Sequence, residues 1–186
     1  MTGTVSVGEW DCTALRRAAD EVLDVYAEAM QVPRVHASSR RGILAGHLDR
    51  KGLRALGARD ETGLLVGVAY GHLGAPGQWW HDQVRTALEG SLGCDAAQRW
   101  LTGAFEVCEL HVRPAWQGTG LGRALLDGLL AGTPARVALL TTPDAETRAR
   151  GFYRTAGWVD LARRVRFPGD PREFAVLGLR LARRPS

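Results

Sequence analysis

The chain has 186 residues, 45% of them hydrophobic, which is enough for one domain with a sizeable core. No run of about 18 apolar residues occurs, so no membrane-spanning helix is expected. The formal net charge is +4, and Lys51 is the only lysine, so the positive charge is almost entirely arginine. The chain shows no interleaving of aromatic and basic residues as in known nucleic-acid-binding modules, so the positive charge does not indicate a nucleic-acid partner other than tRNA as an alternative acyl donor.

The three cysteines, Cys12, Cys94 and Cys108, are scattered and odd in number. This usage is typical of reduced thiols in a cytoplasmic protein rather than of a disulfide framework. No Cys or His spacing predicts a metal site. The first residues, Met1–Thr4, lack the basic start and apolar stretch of a secretion signal, so a cytoplasmic location is expected.

Helices and a strand pair are predicted before residue 74. Apolar side chains recur on one face of the first helix, and Asp11 or Thr13 could cap it. The strands alternate with a turn signal between them. The predicted elements are helices over Thr13–Met30 and Arg41–Leu48, and strands over Leu53–Arg59 and Gly63–Leu73, joined by a hairpin turn at Asp60–Gly63.

Residues 74–103 are more numerous than a simple connection needs. Val84–Leu88 and Ala96–Leu101 are predicted to be helical, and two adjacent tryptophans, Trp79 and Trp80, precede them. Adjacent residues point in different directions, so at least one tryptophan cannot lie wholly in the core. We interpret the segment as an inserted lid in which Trp79 and Trp80 bind the substrate. The alternative is a packed surface excursion that the tryptophans anchor.

The most informative segment follows a predicted strand over Phe105–Val112 and leads into a predicted helix over Leu121–Ala131. A Gly-rich loop that enters a helix leaves backbone N–H groups available for phosphate. The ending Gly122-Arg123-Ala124 excludes a Walker loop, and the even glycine spacing excludes a dinucleotide fingerprint. The pattern Gln/Arg-x-x-Gly-x-Gly/Ala fits Gln117, Gly120 and Gly122. The alternative is a turn that only lets the strand and helix pack closely.

A second motif, Ala149-Arg150-Gly151-Phe152-Tyr153-Arg154-Thr155-Ala156-Gly157-Trp158, lies further along. It is predicted to be a helix over Glu146–Ala156 with Gly157 as a left-handed C-terminal cap. A buried strand over Val137–Thr142 separates the two motifs. Strands over Trp158–Phe167 and Phe174–Leu181, with a turn at Pro168–Pro171, complete the predicted elements.

Together, these two motifs resemble the signatures of the GNAT superfamily of N-acyltransferases, over about residues 104–160. The resemblance implies an α/β (α+β) fold in which helices flank a mixed central sheet of six or seven strands, with the helical insertion at about 74–103. We expect a single domain over residues 1–186. The resemblance also implies acetyl-CoA as co-substrate, no metal, and direct attack by a primary amine of a small molecule or peptide in a ternary complex.

The resemblance also assigns roles to residues. Tyr153 is the expected general acid, and Glu106 and Glu109 are the candidate bases, directly or through a water, with His111 as a weaker third. The expected coenzyme contacts are the backbone of Leu110, His111 and Val112, the pyrophosphate loop Gln117, Gly118, Thr119, Gly120, Leu121, Gly122 and Arg123, and then Thr147 and Phe152. Glu146 stands where many relatives have an asparagine that contacts pantetheine, so that contact is expected to be lost or moved to Thr147 or Arg148.

Two other functions stay open on the same fold. The acyl donor could instead be aminoacyl-tRNA or a carrier protein, a reading that the arginine-rich surface favours weakly. A non-catalytic module that binds acyl-CoA is the other alternative, against which Tyr153 and the two strand glutamates argue. A homodimer is compatible with the family resemblance.

Overall fold

The structure, a computed structural model, describes residues 3–182. Met1, Thr2 and residues 183–186 lie outside the described part, although the predicted single domain includes them. The helices are α1 (Cys12–Arg17), α2 (Ala19–Met30), α3 (Arg34–Ser38), α4 (Arg41–Leu48), α5 (Trp79–Leu92), α6 (Cys94–Leu101), α7 (Leu121–Ala131) and α8 (Arg148–Thr155). The strands are β1 (Val5–Trp10), β2 (Arg54–Asp60), β3 (Leu65–Leu73), β4 (Phe105–Val112), β5 (Val137–Pro143), β6 (Val159–Arg166) and β7 (Glu173–Arg180).

The strands form one mixed sheet in the order β1-β2-β3-β4-β5-β7-β6. The β4–β5 pair is parallel, with Phe105 opposite Ala138, whereas β1–β2, β2–β3, β5–β7 and β6–β7 are antiparallel. The prediction of a mixed sheet of six or seven strands flanked by helices is therefore confirmed. Among the described residues, no helix combines the length and hydropathy needed to cross a membrane.

The chain divides into two compact units, which we call unit 1 (residues up to 72, and 107–133) and unit 2 (residues 73–106, and from 134 onward). β4 begins in unit 2 and continues into unit 1. Each unit has its own hydrophobic cluster. That the whole chain forms a single domain stays a prediction.

The cluster of unit 1 packs helices against β2 and β3. Its buried members include Leu15, Val22 and Val25 from α1 and α2, Leu44 and Leu48 from α4, and Val68 and Tyr70 from β3. The single predicted helix over Thr13–Met30 is wrong in one respect, because the chain leaves helical geometry at Ala18. The predicted cap is confirmed, since the Asp11 carboxylate accepts a hydrogen bond of 2.7 Å from the Ala14 amide.

The cluster of unit 2 contains the predicted helical insertion. Both of its helices contribute buried side chains, namely Val84 and Leu88 from α5 and Ala97 and Leu101 from α6, beside Val137 and Leu139 of β5. The predicted insertion is confirmed, and both of its helices are longer than the sequence indicated. The buried faces of the two helices fit both readings of this segment, so its role as a lid or as a packed excursion stays a prediction.

The sequence did not indicate β1 or α3. β1 lies at the end of the sheet order and has mostly exposed side chains, with Val7 42% exposed, so it lacks an alternating apolar face. α3 has only five residues and begins after Pro33 without a side-chain cap. Both elements depend on neighbouring structure rather than on a local signal.

Gly57 of β2 generates a stability prediction. A Cβ at Gly57 would lie 2.0 Å from the Trp10 ring, so Gly57→Ala must displace that ring. We expect a loss of about 1–3 kcal/mol in unfolding free energy, as for other overpacked sites. Gly8 is directly opposite in the sheet and a Cβ there meets nothing within 4 Å, so Gly8→Ala is the matched control. Urea unfolding that gave both variants the same stability would contradict this.

Candidate functional site

The Gly-rich segment of unit 1 forms a loop that leads directly into α7. Pro114–Trp116 make a 3-10 turn, and Gly118 and Gly120 have positive φ angles of 81° and 89°. Residues with a Cβ rarely adopt this conformation, so the backbone itself requires glycine at these positions. Gly120 is the N-cap of α7 and provides no capping side chain.

The first turn of α7 therefore has amides available for a ligand. Leu121, Gly122 and Arg123 lack an acceptor within the helix, as the first N–H groups of every α-helix do. A Cβ on Gly120 would meet nothing within 4 Å, so the space beside the N-cap is open. The Arg123 side chain pairs at 2.7 Å with Asp127 on the helix surface. These amides and the positive end of the helix dipole suit a phosphate group.

Two predicted ligand residues brace the loop with their side chains. The Gln117 Nε2 donates a 2.9 Å hydrogen bond to the Val112 carbonyl, and the Thr119 hydroxyl donates one of 2.7 Å to the Trp116 carbonyl. These bonds join the loop to the end of β4 and to the 3-10 turn. A loop held in this way presents its backbone amides in a fixed arrangement.

Glu109 lies in a charged cluster of unit 1. Its carboxylate accepts a hydrogen bond from Arg40, and its Oε2 is 2.5 Å from His111 Nε2. The Tyr26 ring contacts both partners, with its centroid 4.6 Å from Arg40 Cζ and 5.1 Å from the His111 ring centroid. The side chains of Glu109 and His111 are each 12% exposed, so little water competes for these contacts.

This cluster changes what Glu109 can do chemically. Burial acts to raise the pKa of the Glu109 carboxyl, but hydrogen bonding and charge from His111 and then Arg40 outweigh burial and lower the pKa to about 2. Such a carboxylate is ionised at neutral pH and is a weak proton acceptor. Glu109 is therefore better suited to orient His111 than to remove a proton itself.

Glu106, the other predicted base, lies in unit 2 with a partner that the sequence did not indicate. Its Oε1 is 2.9 Å from His81 Nδ1, and both side chains are only 4% exposed. His81 belongs to the inserted helix α5. A Cβ on Gly74 would lie 2.2 Å from the same Glu106 oxygen, so the pair needs glycine there.

Tyr153 lies near the end of α8, which terminates as the second motif predicts. Gly157 has a φ of 86°, its amide donates to the Arg154 carbonyl at 3.0 Å, and the Trp158 amide donates to the Tyr153 carbonyl at 3.0 Å. These two bonds form a Schellman cap, which confirms the predicted role of Gly157. The Tyr153 ring contacts Phe152 and Trp158 edge-to-face, at centroid distances of 5.1 and 5.7 Å.

Thr147 and Glu146 lie at the start of α8, and both have structural contacts there. Thr147 is the N-cap, and its hydroxyl accepts a 3.2 Å hydrogen bond from the Arg150 amide. Glu146, which stands where many relatives have asparagine, pairs with Arg154 at 3.0 Å. The predicted coenzyme contact of Thr147 stays a prediction, while its capping role is clear.

Arg150 anchors α8, and the sequence analysis assigned it no role. Its side chain is fully buried and pairs with Asp144 and with Asp160, the latter at 2.5 Å. Asp144 also accepts from the Arg163 guanidinium and the Arg164 amide, each at 2.8 Å. Hydrogen bonding by Arg163 is the largest cause that lowers the pKa of Asp144, to about 2, with burial acting against it.

The two tryptophans differ, as predicted. Trp79 is 56% exposed and lies beside the Phe167 ring at a centroid distance of 5.9 Å. Trp80 is partly buried, and its indole N–H donates a 3.3 Å hydrogen bond to the Thr141 hydroxyl. Their contact with a substrate stays a prediction.

The predicted site residues therefore fall into two groups. Leu110 to Val112, the loop Gln117–Arg123 and Glu109 belong to unit 1. The other predicted residues belong to unit 2, namely Glu106, Tyr153, Thr147, Phe152, Trp79 and Trp80. Sequence reasoning missed Arg40 and His81, because their partners Glu109 and Glu106 lie 69 and 25 residues away in the chain. It also missed Asp144, because no motif links this residue to Arg150 or Arg163.

Comparison with known proteins gives a family match. A family model described as an acetyltransferase (GNAT) domain matches residues 77–160. A GCN5-like protein acetyltransferase of Mycobacterium tuberculosis is 39% identical over 189 aligned positions, which cover 88% of this chain and 92% of that protein.

Solved structures share the fold at low sequence identity. A protein of Desulfovibrio desulfuricans assigned to the GNAT acetyltransferase family has a TM-score of 0.68 and 19% identity, over 96% of this chain and all of that one. The ribosomal-protein-S18-alanine N-acetyltransferase of Escherichia coli has a TM-score of 0.64 and 13% identity, over 98% and 97%. A Salmonella typhimurium protein solved with its cofactor acetyl-CoA has a TM-score of 0.61 and 17% identity, over 99% and 98%.

The pKa of Asp144 predicts a pH dependence of stability. The folded pKa of about 2 lies below the ordinary 3.8, so the stabilisation is present above 3.8 and is lost as the pH falls through 2. This contribution is about 2 kcal/mol. Between about pH 5 and pH 2, the unfolding free energy of the wild type should decrease as Asp144 becomes protonated. The decrease in Asp144→Asn should be smaller by about 2 kcal/mol, because this variant lacks the carboxyl group.

Asp49→Asn is the matched control, since the Asp49 side chain is 87% exposed. Denaturant unfolding at several pH values measures the slopes. Identical slopes for Asp144→Asn and wild type would show that Asp144 is not held ionised by its partners.

Proposed function

Because the chain belongs to the GNAT acetyltransferase family, we propose that it transfers an acetyl group from acetyl-CoA to a primary amine, and that this amine belongs to a protein or peptide. The observation that carries the acceptor class is the 39% identical relative, which is named a protein acetyltransferase and matches over nearly its whole length. A small-molecule amine is the other acceptor that the sequence left open.

The loop of unit 1 supports acetyl-CoA as the donor. The amides of the first turn of α7 would bind the pyrophosphate, and the positive φ of Gly120 favours a residue without a side chain at that position. Gln117 and Thr119 brace the loop from behind. In the proposed complex, the backbone of Leu110–Val112 contacts the pantetheine arm, and Thr147 and Phe152 make further coenzyme contacts.

The amine must lose a proton before it attacks the thioester carbon. We assign this step to His111, with Glu109 holding its imidazole, because the pKa of Glu109 is too low for efficient proton removal. Arg40 fixes the other carboxylate oxygen. Glu106 is the alternative base, and its bond to His81 would have to break or pass the proton on.

Transfer forms the new bond between nitrogen and the acetyl carbon and breaks the bond between carbon and sulfur. The departing thiolate then needs a proton, and we assign its donation to the Tyr153 hydroxyl. The Schellman cap and the edge-to-face contacts with Phe152 and Trp158 hold the Tyr153 ring in place. A fixed donor loses less entropy in the transition state than a mobile one.

The acceptor class is tested with acetyl-CoA and three amines. These are a peptide with one lysine and a blocked N-terminus, a lysine-free peptide with a free N-terminus, and a small polyamine. We expect coenzyme A release and a mass increase of one acetyl group on a peptide, with higher kcat/KM than on the polyamine. Transfer to the polyamine alone would contradict the proposed acceptor, and transfer from charged tRNA but not from acetyl-CoA would contradict the donor.

Variants of Gly120 are the controls for this experiment. Gly120→Glu places a carboxylate at the N-cap of α7, where it repels the pyrophosphate, so acetyl-CoA binding should be undetectable by calorimetry. Gly120→Ala carries the same positive-φ strain without the charge and should retain measurable binding. Normal affinity in the glutamate variant would refute the loop assignment.

The acid and base assignments predict separate effects on pH–rate profiles. His111→Gln should lower kcat by about 100-fold or more and remove the acidic limb of the kcat/KM profile, because the proton acceptor is lost. Tyr153→Phe should lower kcat to a similar extent while the KM for acetyl-CoA changes little. An acidic limb that survives in His111→Gln but disappears in Glu106→Gln would transfer the base role to Glu106.

A further inference from the structure

We propose that unit 1 contains a binding site for a divalent transition metal of the zinc class, formed by His47, His72 and Cys108. A ligand atom from each residue, an imidazole nitrogen or the cysteine sulfur, lies within 4.8 Å of those of the other two. Two imidazoles and one thiolate are ligands that zinc prefers in proteins. The proposed acetyl transfer does not use any of these three side chains.

The three residues come from three different elements. His47 lies in α4, His72 in β3 and Cys108 in β4, so the site joins a helix to two strands. The His47 and His72 rings lie edge-to-face, with a centroid distance of 5.3 Å and 61° between their planes. Bond lengths of about 2.0–2.3 Å place tetrahedral ligand atoms about 3.3–3.8 Å apart, so small side-chain rotations close the site.

An unsatisfied polar atom supports a ligand at this position. His47 Nδ1 is buried and has no hydrogen-bond partner among the described residues. Buried polar atoms in folded proteins almost always have a partner, and an ion is one explanation for an exception.

The site is largely shielded from water, and a bound thiolate would offset part of the metal charge. His72 is buried, with 3% exposure, and Cys108 packs against the unit 1 cluster, so the site excludes most water. A bound thiolate would neutralise one charge of the metal ion, which reduces the cost of burying a dication. Three protein ligands leave a fourth position for water or another ligand.

Cobalt binding gives a direct test on the whole chain. The protein is treated with a chelator, exchanged into metal-free buffer and titrated with Co²⁺, which reports thiolate ligation by charge-transfer absorption and tetrahedral geometry by visible bands. We expect saturation at one equivalent per chain and displacement by Zn²⁺. Absence of a saturable charge-transfer band would overturn the proposal. Activity is not the readout, so failure of this site would not bear on acetyl transfer.

Variants identify the ligands. Cys108→Ser should abolish the charge-transfer band, and His47→Ala should weaken cobalt binding by at least about tenfold. Cys94→Ser and His36→Ala are the matched controls, because both residues are exposed and lie outside the site, and these variants should titrate as wild type. A band that survives Cys108→Ser, or one that Cys94→Ser removes, would contradict the assignment. Circular dichroism checks the fold of each variant without metal. If a variant does not fold, the cobalt titration of the wild type still tests the proposed site.

Discussion

β4 carries two carboxylates, Glu106, which is buried, and Glu109, whose side chain is 12% exposed. A carboxylate with so little access to water is stable only beside a cation or hydrogen-bond donors that replace water. Glu109 satisfies this constraint through Arg40 and His111, and Glu106 satisfies it through His81. The surroundings of Glu106 are sterically restricted, because a Cβ at Gly74 would lie 2.2 Å from its Oε1. Each glutamate of β4 therefore needs a polar or charged partner beside it, Arg40 and His111 in unit 1 and His81 in unit 2.

The same constraint separates the chemistry of the two glutamates. Glu109 has a guanidinium and an imidazole as partners, and both favour its ionised form, so it is a strong acid and a weak base. Glu109 therefore places a fixed negative charge beside the His111 imidazole. Glu106 lies beside the His81 imidazole, and both side chains are only 4% exposed. Two carboxylates that look equivalent in the sequence therefore differ because of their neighbours.

α8 is an example of a helix whose ends are predictable and whose anchor is not. Thr147 and Gly157 occupy the N-cap and C′ positions that their residue types favour, and both are readable from the sequence. Arg150 is different, because a charged residue in a short helix normally indicates a solvated face. Its full burial depends on Asp144 and Asp160, which other segments place beside it.

Most secondary structure could be predicted because local signals mark it. β4, α7 and α4 begin and end at the predicted residues, where apolar periodicity meets glycine, proline or a turn. β1 and α3 lack such signals, and the interruption at Ala18 occurs inside a run of good helix formers. These three features depend on pairing and packing with the rest of unit 1, which a single segment does not encode.

The sequence by itself determined the family, the fold and the glycine-rich loop before α7, because each depends on residue types at short, fixed spacing. Only the tertiary structure decided the pairs Arg40–Glu109 and His81–Glu106 and the cluster His47–His72–Cys108. Their members are separated by long stretches of chain, so no periodicity or motif links them. Side-chain chemistry depends on charge and burial within a few ångströms, and folding alone sets those distances.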